Sequence, residues 1–204
     1  AAMVAEVGPG IRNAELKDAA RAHGLWYPPD PSSFEICSIG GNLATNAGGL
    51  CCVRYGVTTD YVLGLEVVLA DGTLVHLGGR TIKDVAGYDL KRLFVGSEGT
   101  LGVITAATLR LRPLPAPVST TVATFASVVE AGRAVGRIVA SVRPSALELM
   151  DRAAMAAVEV VRPMGLDTSA AALLLVQTDT GSPDTAAVRA ACEPAPTTST
   201  KASC

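Results

Sequence analysis

Residues 39–56 read IGGNLATNAGGLCCVRYG, a stretch with two Gly-Gly pairs, at 40–41 and 48–49, that lie eight positions apart. Glycine inside a regular element costs about 0.5 to 1 kcal/mol relative to alanine, because a more flexible unfolded chain must be ordered. One explanation for so much bare backbone is a pair of turns. The other is a loop whose peptide groups lie against a flat or anionic group that any Cβ atom would displace. This stretch alone favours neither explanation.

The composition predicts a globular and soluble protein. A chain of 204 residues with 49% hydrophobic residues can bury a sizeable core. Its net charge of −2, without a long run of Lys or Arg, provides no basic surface for nucleic acid or an anionic membrane. The most apolar run, at 170–176, is far shorter than the roughly 20 residues that span a bilayer. We therefore expect no nucleic-acid partner, no membrane span and a cytoplasmic location.

The cysteines and histidines predict no metal site. The five cysteines include one adjacent pair but no CxxC, which fits neither a disulfide framework nor a zinc site. His23 and His76 lack a second ligand at metal-binding spacing. Free thiols are expected at Cys37, Cys51, Cys52, Cys192 and Cys204.

The segments before the glycine-rich stretch predict a βα unit and a rigid connection. Residues 4–8 favour a strand, and residues 13–24 favour a helix with Asn13 as N-cap and Gly24 just past its end. The run LWYPPDPSS at 25–33 cannot be helical, because its prolines fix φ and push their neighbours towards extended geometry.

The segments after it predict a hairpin and a second glycine-rich loop. Residues 61–79 form two β-rich runs joined by Asp71-Gly72, a pair suited to a two-residue type I′ turn. A helix or helical turn is predicted over 83–95, interrupted by Gly87, and GSEGTLG at 96–102 is a loop. A strand then follows as far as a cluster of prolines.

That proline cluster, at 113–117, predicts a domain boundary. Beyond it, predicted strands at 118–125, 145–150 and 170–178 alternate with predicted helices at 127–141, 152–161 and 183–192. This order is typical of a small α+β layer. The end of the chain, 192–204, lacks periodicity and is expected to be unstructured. The whole chain is therefore assigned to the α+β class.

Several motifs together resemble one family. They are PPDPSS, CSIGGNLATNAGG, RYG, LGLEVVLADGT and AGYDLKRLFVGSEGTLGVIT. The set resembles the PCMH-type FAD-binding domain of the vanillyl-alcohol oxidase superfamily. Within it, the set is most similar to the FAD-linked branch with the glycolate oxidase catalytic subunit and the D-lactate and D-2-hydroxyglutarate dehydrogenases. The resemblance implies an FAD-binding domain over 1–113, without its N-terminal part, and a partial cap domain over 114–191.

The resemblance also implies which residues contact FAD. The implied set is Pro31, Ser38, Gly40, Gly41, Asn42, Thr45, Asn46, Gly48, Gly49, Tyr55, Gly56, Glu98, Gly99, Gly102 and Ile104. In such a site, backbone N–H groups complement phosphate charge and missing side chains permit contact with the flavin ring. For Ser38, Asn42, Tyr55 and Glu98, a purely structural role at turns remains an alternative.

The implied chemistry is the oxidation of a 2-hydroxy acid, whose C2 hydrogen leaves as hydride to the flavin. It requires a base and a cation that holds the substrate carboxylate. The sequence identifies no catalytic residue. Candidates for the cation are Arg54, Lys83, Lys91 and Arg92, each of which is also typical of a solvated surface charge.

Three features depart from the family pattern. The family's N-terminal phosphate loop is absent from these residues, as is its C-terminal segment with metal-binding histidines and a glutamate. The final EPAPTTSTKASC does not continue the cap pattern, so the chain is expected to be a fragment, and the hypothesis is a truncated or frame-shifted gene product.

Three functions follow as hypotheses. The favoured one is a fragment of an FAD-dependent oxidoreductase that uses a small 2-hydroxy acid and an electron acceptor. The second is a non-catalytic flavin-binding subunit, with the missing segments supplied by a partner subunit. The third is an inactive remnant.

Overall fold

A computed structural model describes residues 3–193 of the chain. Two compact units divide between Pro115 and Ala116. Both contain helices and antiparallel sheets, which confirms the α+β class. Each unit has its own buried hydrophobic cluster.

The first unit contains a four-stranded sheet with short helices. Its elements are β1 (Val4–Val7), α1 (Asn13–Arg21), β2 (Leu25–Trp26), α2 (Ile39–Thr45), α3 (Cys52–Tyr55), a 3-10 helix (Thr58–Tyr61), β3 (Val62–Val68), β4 (Leu74–Gly78), α4 (Lys91–Phe94), β5 (Val103–Arg110) and β6 (Arg112–Pro113). The sheet order is β1-β5-β3-β4, with antiparallel neighbours throughout. Strands β2 and β6 form a separate antiparallel pair.

The core of this unit lies against strand β3. Its sequence, VLGLEVV, is rich in the β-branched and aliphatic residues that pack well on a pleated surface. Leu65 and Val67 are 4% and 0% exposed, and Ile39 and Leu43 of α2 belong to the same buried cluster. The helix within the glycine-rich stretch is therefore anchored in the core of the sheet.

The glycine-rich stretch is not the continuous loop that was considered from the sequence. Residues Ile39–Thr45 form helix α2, and the Ser38 Oγ caps it by accepting from the Gly41 N–H at 3.0 Å. Burial of Ile39 and Leu43, one turn apart, offsets the helix cost of two glycines. Gly40 has a packing reason, because an added Cβ would lie 2.7 Å from the Cβ of Pro9.

The N-cap of α1 was also predicted wrongly. Arg12, not Asn13, has the extended backbone of an N-cap, and the Glu15 carboxylate accepts from the Arg12 N–H at 3.0 Å. Asn13 is the first helical residue and is 0% exposed. Its side chain is directed into the protein, where it bonds to two other segments.

The hairpin is confirmed, but its turn type is not. The Gly72 N–H donates to the Leu69 oxygen and the Leu69 N–H donates to the Thr73 oxygen, both at 2.9 Å. Gly72 has φ 84°, whereas Asp71 has no positive φ, so a type I′ turn is excluded. Asp71 instead accepts from the Thr73 N–H through Oδ1 at 2.9 Å, a local bond that favours a three-residue connection with a left-handed glycine.

Most of the helix predicted over 83–95 is absent. Only α4 is helical, and residues 80–90 are irregular and exposed. Asp84 and Asp89 accept from the Lys91 Nζ at 3.2 and 2.6 Å, so side-chain bonds attach this irregular segment to α4. Gly87, with φ 80°, also interrupts any helix here.

The second unit follows the alternation that the sequence predicted. Its elements are β7 (Ser119–Phe125), α5 (Val128–Ser141), β8 (Ala146–Asp151), α6 (Arg152–Val161), β9 (Ala172–Thr178) and α7 (Ser182–Cys192). The sheet order is β7-β9-β8, antiparallel, and Ile138 of α5 and Val188 of α7 pack with Leu174 of β9. Residue 192 ends α7, and the rest of the predicted unstructured tail, apart from residue 193, lies outside the described residues.

Candidate functional site

The two glycine-rich segments meet at the last turn of α2. The Gly96 N–H donates to the Leu43 oxygen at 2.8 Å, and the Glu98 N–H donates to the Ala44 oxygen at 2.9 Å. Carbonyl groups at a helix C-terminus lack partners within the helix, so these bonds satisfy them. Residues 96–102, separated from α2 by half the first unit, are thus held directly against it.

A cleft of about 260 Å³ lies where these segments meet. Its lining consists of Gly40, Ala44, Ser97, Gly99, Gly102, Val103 and Ile104. The lining carries no charged side chain and a single hydroxyl group, so the surface is mostly backbone and small apolar groups. Such a surface fits close contact with a flat ring system, the chemistry that an FAD isoalloxazine presents.

The glycines around the cleft fall into two groups. Gly41 and Gly99 are exposed, and an added Cβ would meet only the Ser38 Oγ at 3.4 Å in the first case and nothing within 4 Å in the second. Gly102 differs, because its Cβ would lie 2.8 Å from the Cγ1 of Val67. Gly41 and Gly99 therefore have open space beside them, although the left-handed φ of 76° by itself accounts for the glycine at 99, whereas Gly102 serves packing within the chain.

Glu98 has an unusual backbone. It is a non-glycine residue with φ 51°, in the left-handed region that L side chains seldom adopt. The bond from its N–H to Ala44 holds this conformation, and its side chain is exposed. Strained backbone held by its surroundings is frequent at ligand sites, which supports including residues 96–99 in the candidate site.

The polar residues predicted on α2 bond within the chain. The Thr45 Oγ1 donates to the Gly41 oxygen at 3.0 Å, and the Asn46 Oδ1 accepts from the Thr59 N–H at 2.9 Å. Asn42 is 3% exposed, and its Nδ2 donates to the Cys37 Sγ at 3.2 Å. Thr45 alone of these three is exposed. Asn42 is thus directed away from solvent, consistent with the structural role considered from the sequence.

The backbone amides at the start of α2 already have acceptors. The Ile39 and Gly40 N–H groups donate to the oxygens of Ile11 and Pro9, both at 2.8 Å. The Gly41 N–H is taken by the Ser38 Oγ. Each of these N–H groups therefore stabilises the fold, and their contact with a phosphate stays a prediction.

The residues predicted at the two ends of the stretch also pack internally. Pro31 is buried, and an added Cβ on Gly49 would overlap the Asp30 backbone. Tyr55 packs edge-on against Trp26, with ring centroids 4.8 Å apart, and the Arg112 guanidinium lies 5.2 Å from its ring centre. A left-handed φ of 81° explains the glycine at 56, and Gly48 is exposed.

The four candidate cations differ in their surroundings. Lys91 is 8% exposed and is bonded to two carboxylates, so it is neither the solvated charge nor the anion clamp that were considered. Arg92 pairs with Asp89 and Asp60 at 3.2 and 3.6 Å. Arg54 lies 5.5 Å from the centre of the adjacent Tyr55 ring. Lys83 is exposed.

Sequence reasoning missed Lys17. Its Nζ donates to the Tyr27 oxygen at 2.8 Å and to the Pro28 oxygen at 3.4 Å, and lies 5.8 Å from the centre of the Trp26 ring. Burial lowers the pKa of Lys17 to about 8. The sequence signal was weak, since a lysine in an amphipathic helix is usually solvated. Its position indicates that it fixes the proline-rich connection.

Residues 3–193 contain neither a metal-binding cluster nor a membrane-spanning helix. No group of three His, Cys, Asp or Glu side chains there is placed to hold a metal ion. No helix in that part of the chain combines the length and the apolar character needed to cross a membrane. Cys37, Cys51, Cys52 and Cys192 are free thiols, whereas Cys204 lies outside the described residues.

Comparison with known proteins identifies the family. Residues 1–78 match the family described as FAD binding domain, and residues 114–201 match the family described as FAD linked oxidases, C-terminal domain. The chain belongs to the FAD-linked oxidases. This confirms the resemblance inferred from the motifs.

Curated relatives support the assignment. The chain is 47% identical over 178 residues to glycolate oxidase subunit GlcD of Bacillus subtilis (strain 168), covering 87% of this chain and 38% of the relative. It is 45% identical over 152 residues to D-lactate dehydrogenase of Archaeoglobus fulgidus, covering 74% and 34%. The chain therefore spans well under half the length of these two relatives.

A solved structure has the same fold. Alkyldihydroxyacetonephosphate synthase matches with a TM-score of 0.76 and 24% identity, over 94% of this chain and 37% of that chain. At this identity the likeness supports the fold alone.

Proposed function

We propose that this FAD-linked oxidase takes part in the FAD-dependent oxidation of a small 2-hydroxy acid, such as glycolate or D-lactate, to the 2-oxo acid. Bound FAD would accept the hydride from C2 of the substrate. In this proposal residues 1–113 contribute part of the FAD-binding domain, and residues 114–191 begin the cap domain.

One observation carries the proposal. The two segments that the resemblance assigns to the cofactor are distant in sequence, yet they are bonded together through Leu43 and Ala44 and border one cleft of about 260 Å³. Gly99 of the lining and Gly41 of α2, which is outside the lining, are exposed and leave room that a side chain would fill. A left-handed turn accounts for the glycine at 99, but turns alone would not require the pairing of the two segments.

The residues of this chain would act mainly by shape. Gly40, Ala44, Gly99 and Ile104 offer a surface without charge, and Thr45 is an exposed residue of the same helix α2. The predicted Ser38, Asn42, Asn46, Tyr55 and Gly56 would support that surface from within the chain. No imidazole, carboxylate or amine belongs to the cleft lining, so the catalytic base would come from residues outside it.

A chimaera tests the proposal. The segment of A. fulgidus D-lactate dehydrogenase that aligns with this chain would be replaced by the corresponding residues, since the two are 45% identical over 152 residues. We expect a yellow protein that reduces an artificial electron acceptor with D-lactate or glycolate. Absence of bound FAD from a folded chimaera would contradict the proposal.

Gly41→Val in the same chimaera tests whether FAD lies against the exposed side of α2, the helix that lines the cleft through Gly40 and Ala44. We expect loss of flavin absorbance with secondary structure retained, because the nearest atom to an added Cβ is a serine hydroxyl at 3.4 Å. Gly136→Val is the matched control, since Gly136 is also helical, with nothing within 4 Å of an added Cβ, and lies in the second unit. Gly48→Val is a poorer test, because its Cβ would lie 2.9 Å from the Cys52 Sγ.

A flavin-binding subunit is the second candidate, favoured by the similarity to the B. subtilis glycolate oxidase subunit GlcD. In this case the 204-residue chain would contribute to flavin binding within a complex and would not turn over substrate alone. A yellow chimaera that turns over no 2-hydroxy acid would favour this second function.

A further inference from the structure

A pair of buried carboxamides lies behind helix α2. The Asn13 Nδ2 donates to the Asn42 Oδ1 at 2.9 Å and to the Pro29 oxygen at 3.3 Å. Asn13 is 0% and Asn42 3% exposed. The Asn42 Nδ2 continues the network by donating to the Cys37 Sγ at 3.2 Å. The Asn13 amide group on α1 is therefore bonded both to the proline-rich segment at 25–33 and to α2.

Asn42 occupies the core side of its helix. Ile39 and Leu43, both 0% exposed, lie three residues before it and one after it, whereas Gly40 and Ala44 line the cleft. A leucine at position 42 would avoid the cost of burying a carboxamide, which is large unless the group is hydrogen-bonded. The Asn13 Oδ1 is buried without a partner among the described residues, so the network carries a cost that packing alone would not require.

We propose that Asn13 is a positioning residue for the cleft. Through Asn42 it fixes the rotation of α2 about its own axis. That rotation places Gly40 and Ala44 at the cleft, and it directs the carbonyl groups of Leu43 and Ala44 towards residues 96–102. The effect on α2 stands by itself, whereas the effect on FAD rests on the proposed function.

Amide hydrogen exchange in the 204-residue chain tests the effect on α2 without any ligand. In Asn13→Ala we expect the Gly96 and Glu98 amides to exchange about tenfold faster relative to the Val67 amide of β3, because local opening of α2 frees their acceptors. Asn13→Ser, which keeps a polar group too short to reach Asn42, is the milder variant if Asn13→Ala does not fold. An unchanged ratio in the folded variant would overturn the inference.

Leu16→Ala is the matched control. Leu16 lies one turn further along α1, is 3% exposed and belongs to the same core. Its truncation costs at least as much stability but removes no hydrogen bond to α2, so all protected amides should exchange faster in parallel.

Asn42→Ala should reproduce the effect of Asn13→Ala, and the double variant should add little, because both remove the same bond. Additive effects of the two substitutions on amide exchange would contradict the inference that Asn13 acts through Asn42.

The effect on FAD is measured in the chimaera. Asn13→Ala should raise the FAD dissociation constant about tenfold and shift the visible absorbance of bound flavin, and Leu16→Ala should do neither. If exchange changes but FAD affinity does not, the cofactor-directed part of the inference is overturned. If the unsubstituted chimaera is folded but binds no FAD, the proposed function fails, and the exchange result still decides the role of Asn13 in α2.

Discussion

Gly49 lies so close to the backbone carbonyl of Asp30 that an added Cβ atom would overlap it. The Asp30 carboxylate also accepts from the Cys51 N–H at 3.2 Å, which ties the proline-rich connection to the end of the glycine-rich stretch. The second Gly-Gly pair is thus explained in part by contact within the protein.

Gly49→Ala should therefore lower the free energy of unfolding by about 1 to 3 kcal/mol or more, the usual cost of overpacking. The Asp30 carbonyl belongs to the backbone and cannot rotate away as a side chain can. Gly48→Ala is the matched control. Its Cβ would meet the side chains of Cys52 and Val57 at 2.9 and 3.2 Å, and these can adjust. Urea unfolding of both variants checks the prediction, and equal losses would contradict it.

Gly72→Ala should destabilise the hairpin by about 1 to 2 kcal/mol, the cost of a left-handed conformation for a residue with a Cβ. The φ of Gly72 is 84°, and nothing lies within 4 Å of an added Cβ, so conformational strain is the whole effect. Thermal unfolding measures it.

Gly136→Ala should instead stabilise the chain, since alanine is favoured over glycine in a helix and Gly136 has open space without a positive φ.

The alternation of elements in the second unit could be predicted because its helices and strands carry clear periodicity. Strands β7, β8 and β9 and helices α5 and α6 begin and end within two residues of their predicted bounds. The hairpin was equally clear. In these segments the local conformational preference and the pattern of buried residues favour the same element. Tertiary contacts therefore did not alter the predicted structure.

The predictions were wrong for segments whose conformation depends on contacts with residues distant in the sequence. Helix α2 contains two glycines and forms because Ile39 and Leu43 are buried against the sheet. Asn13 was taken for a cap because asparagine favours that position, yet its partners at Pro29 and Asn42 lie 16 and 29 residues away. Local patterns contain no information about such partners.

Lys17 predicts a pH dependence of stability. Burial lowers its pKa in the folded chain to about 8 from an ordinary value of 10.5. Between these values the unfolded state binds more protons, so the free energy of unfolding should rise with pH, by at most about 3 kcal/mol. As pH falls through 8 this contribution is lost.

Lys17→Met isolates this effect, because the other titrating groups are common to both proteins. The difference in unfolding free energy, unsubstituted minus variant, should increase between pH 8 and 10.5 on top of a constant loss of the bonds to Tyr27 and Pro28. Urea unfolding at several pH values measures it. A difference that stays flat over this range would show that Lys17 titrates normally.

Lys91 should determine whether residues 80–90 remain attached. Its Nζ bonds to Asp84 and Asp89 at 3.2 and 2.6 Å, and a Cβ on Gly78 would lie 3.0 Å from its Cδ, so its stem packs against the end of β4. Val85 and Tyr88 are 80% and 93% exposed, so few apolar contacts hold the segment otherwise. Lys91→Gln should therefore detach residues 80–90 from α4 and the end of β4.

Limited proteolysis measures this release, because cleavage requires local opening. Chymotrypsin should cut after Tyr88 severalfold faster in Lys91→Gln, and trypsin should cut faster after Lys83. Arg92→Gln is the matched control, since Arg92 is adjacent and also pairs with Asp89, but its side chain is 55% exposed and such surface pairs contribute little. A hydrogen bond from Lys91 holds the pKa of Asp89 below its ordinary range, so Asp89 should still be charged and the segment still protected at pH 5. Equal cleavage rates in Lys91→Gln and the unsubstituted chain would mean that other contacts hold residues 80–90 in place.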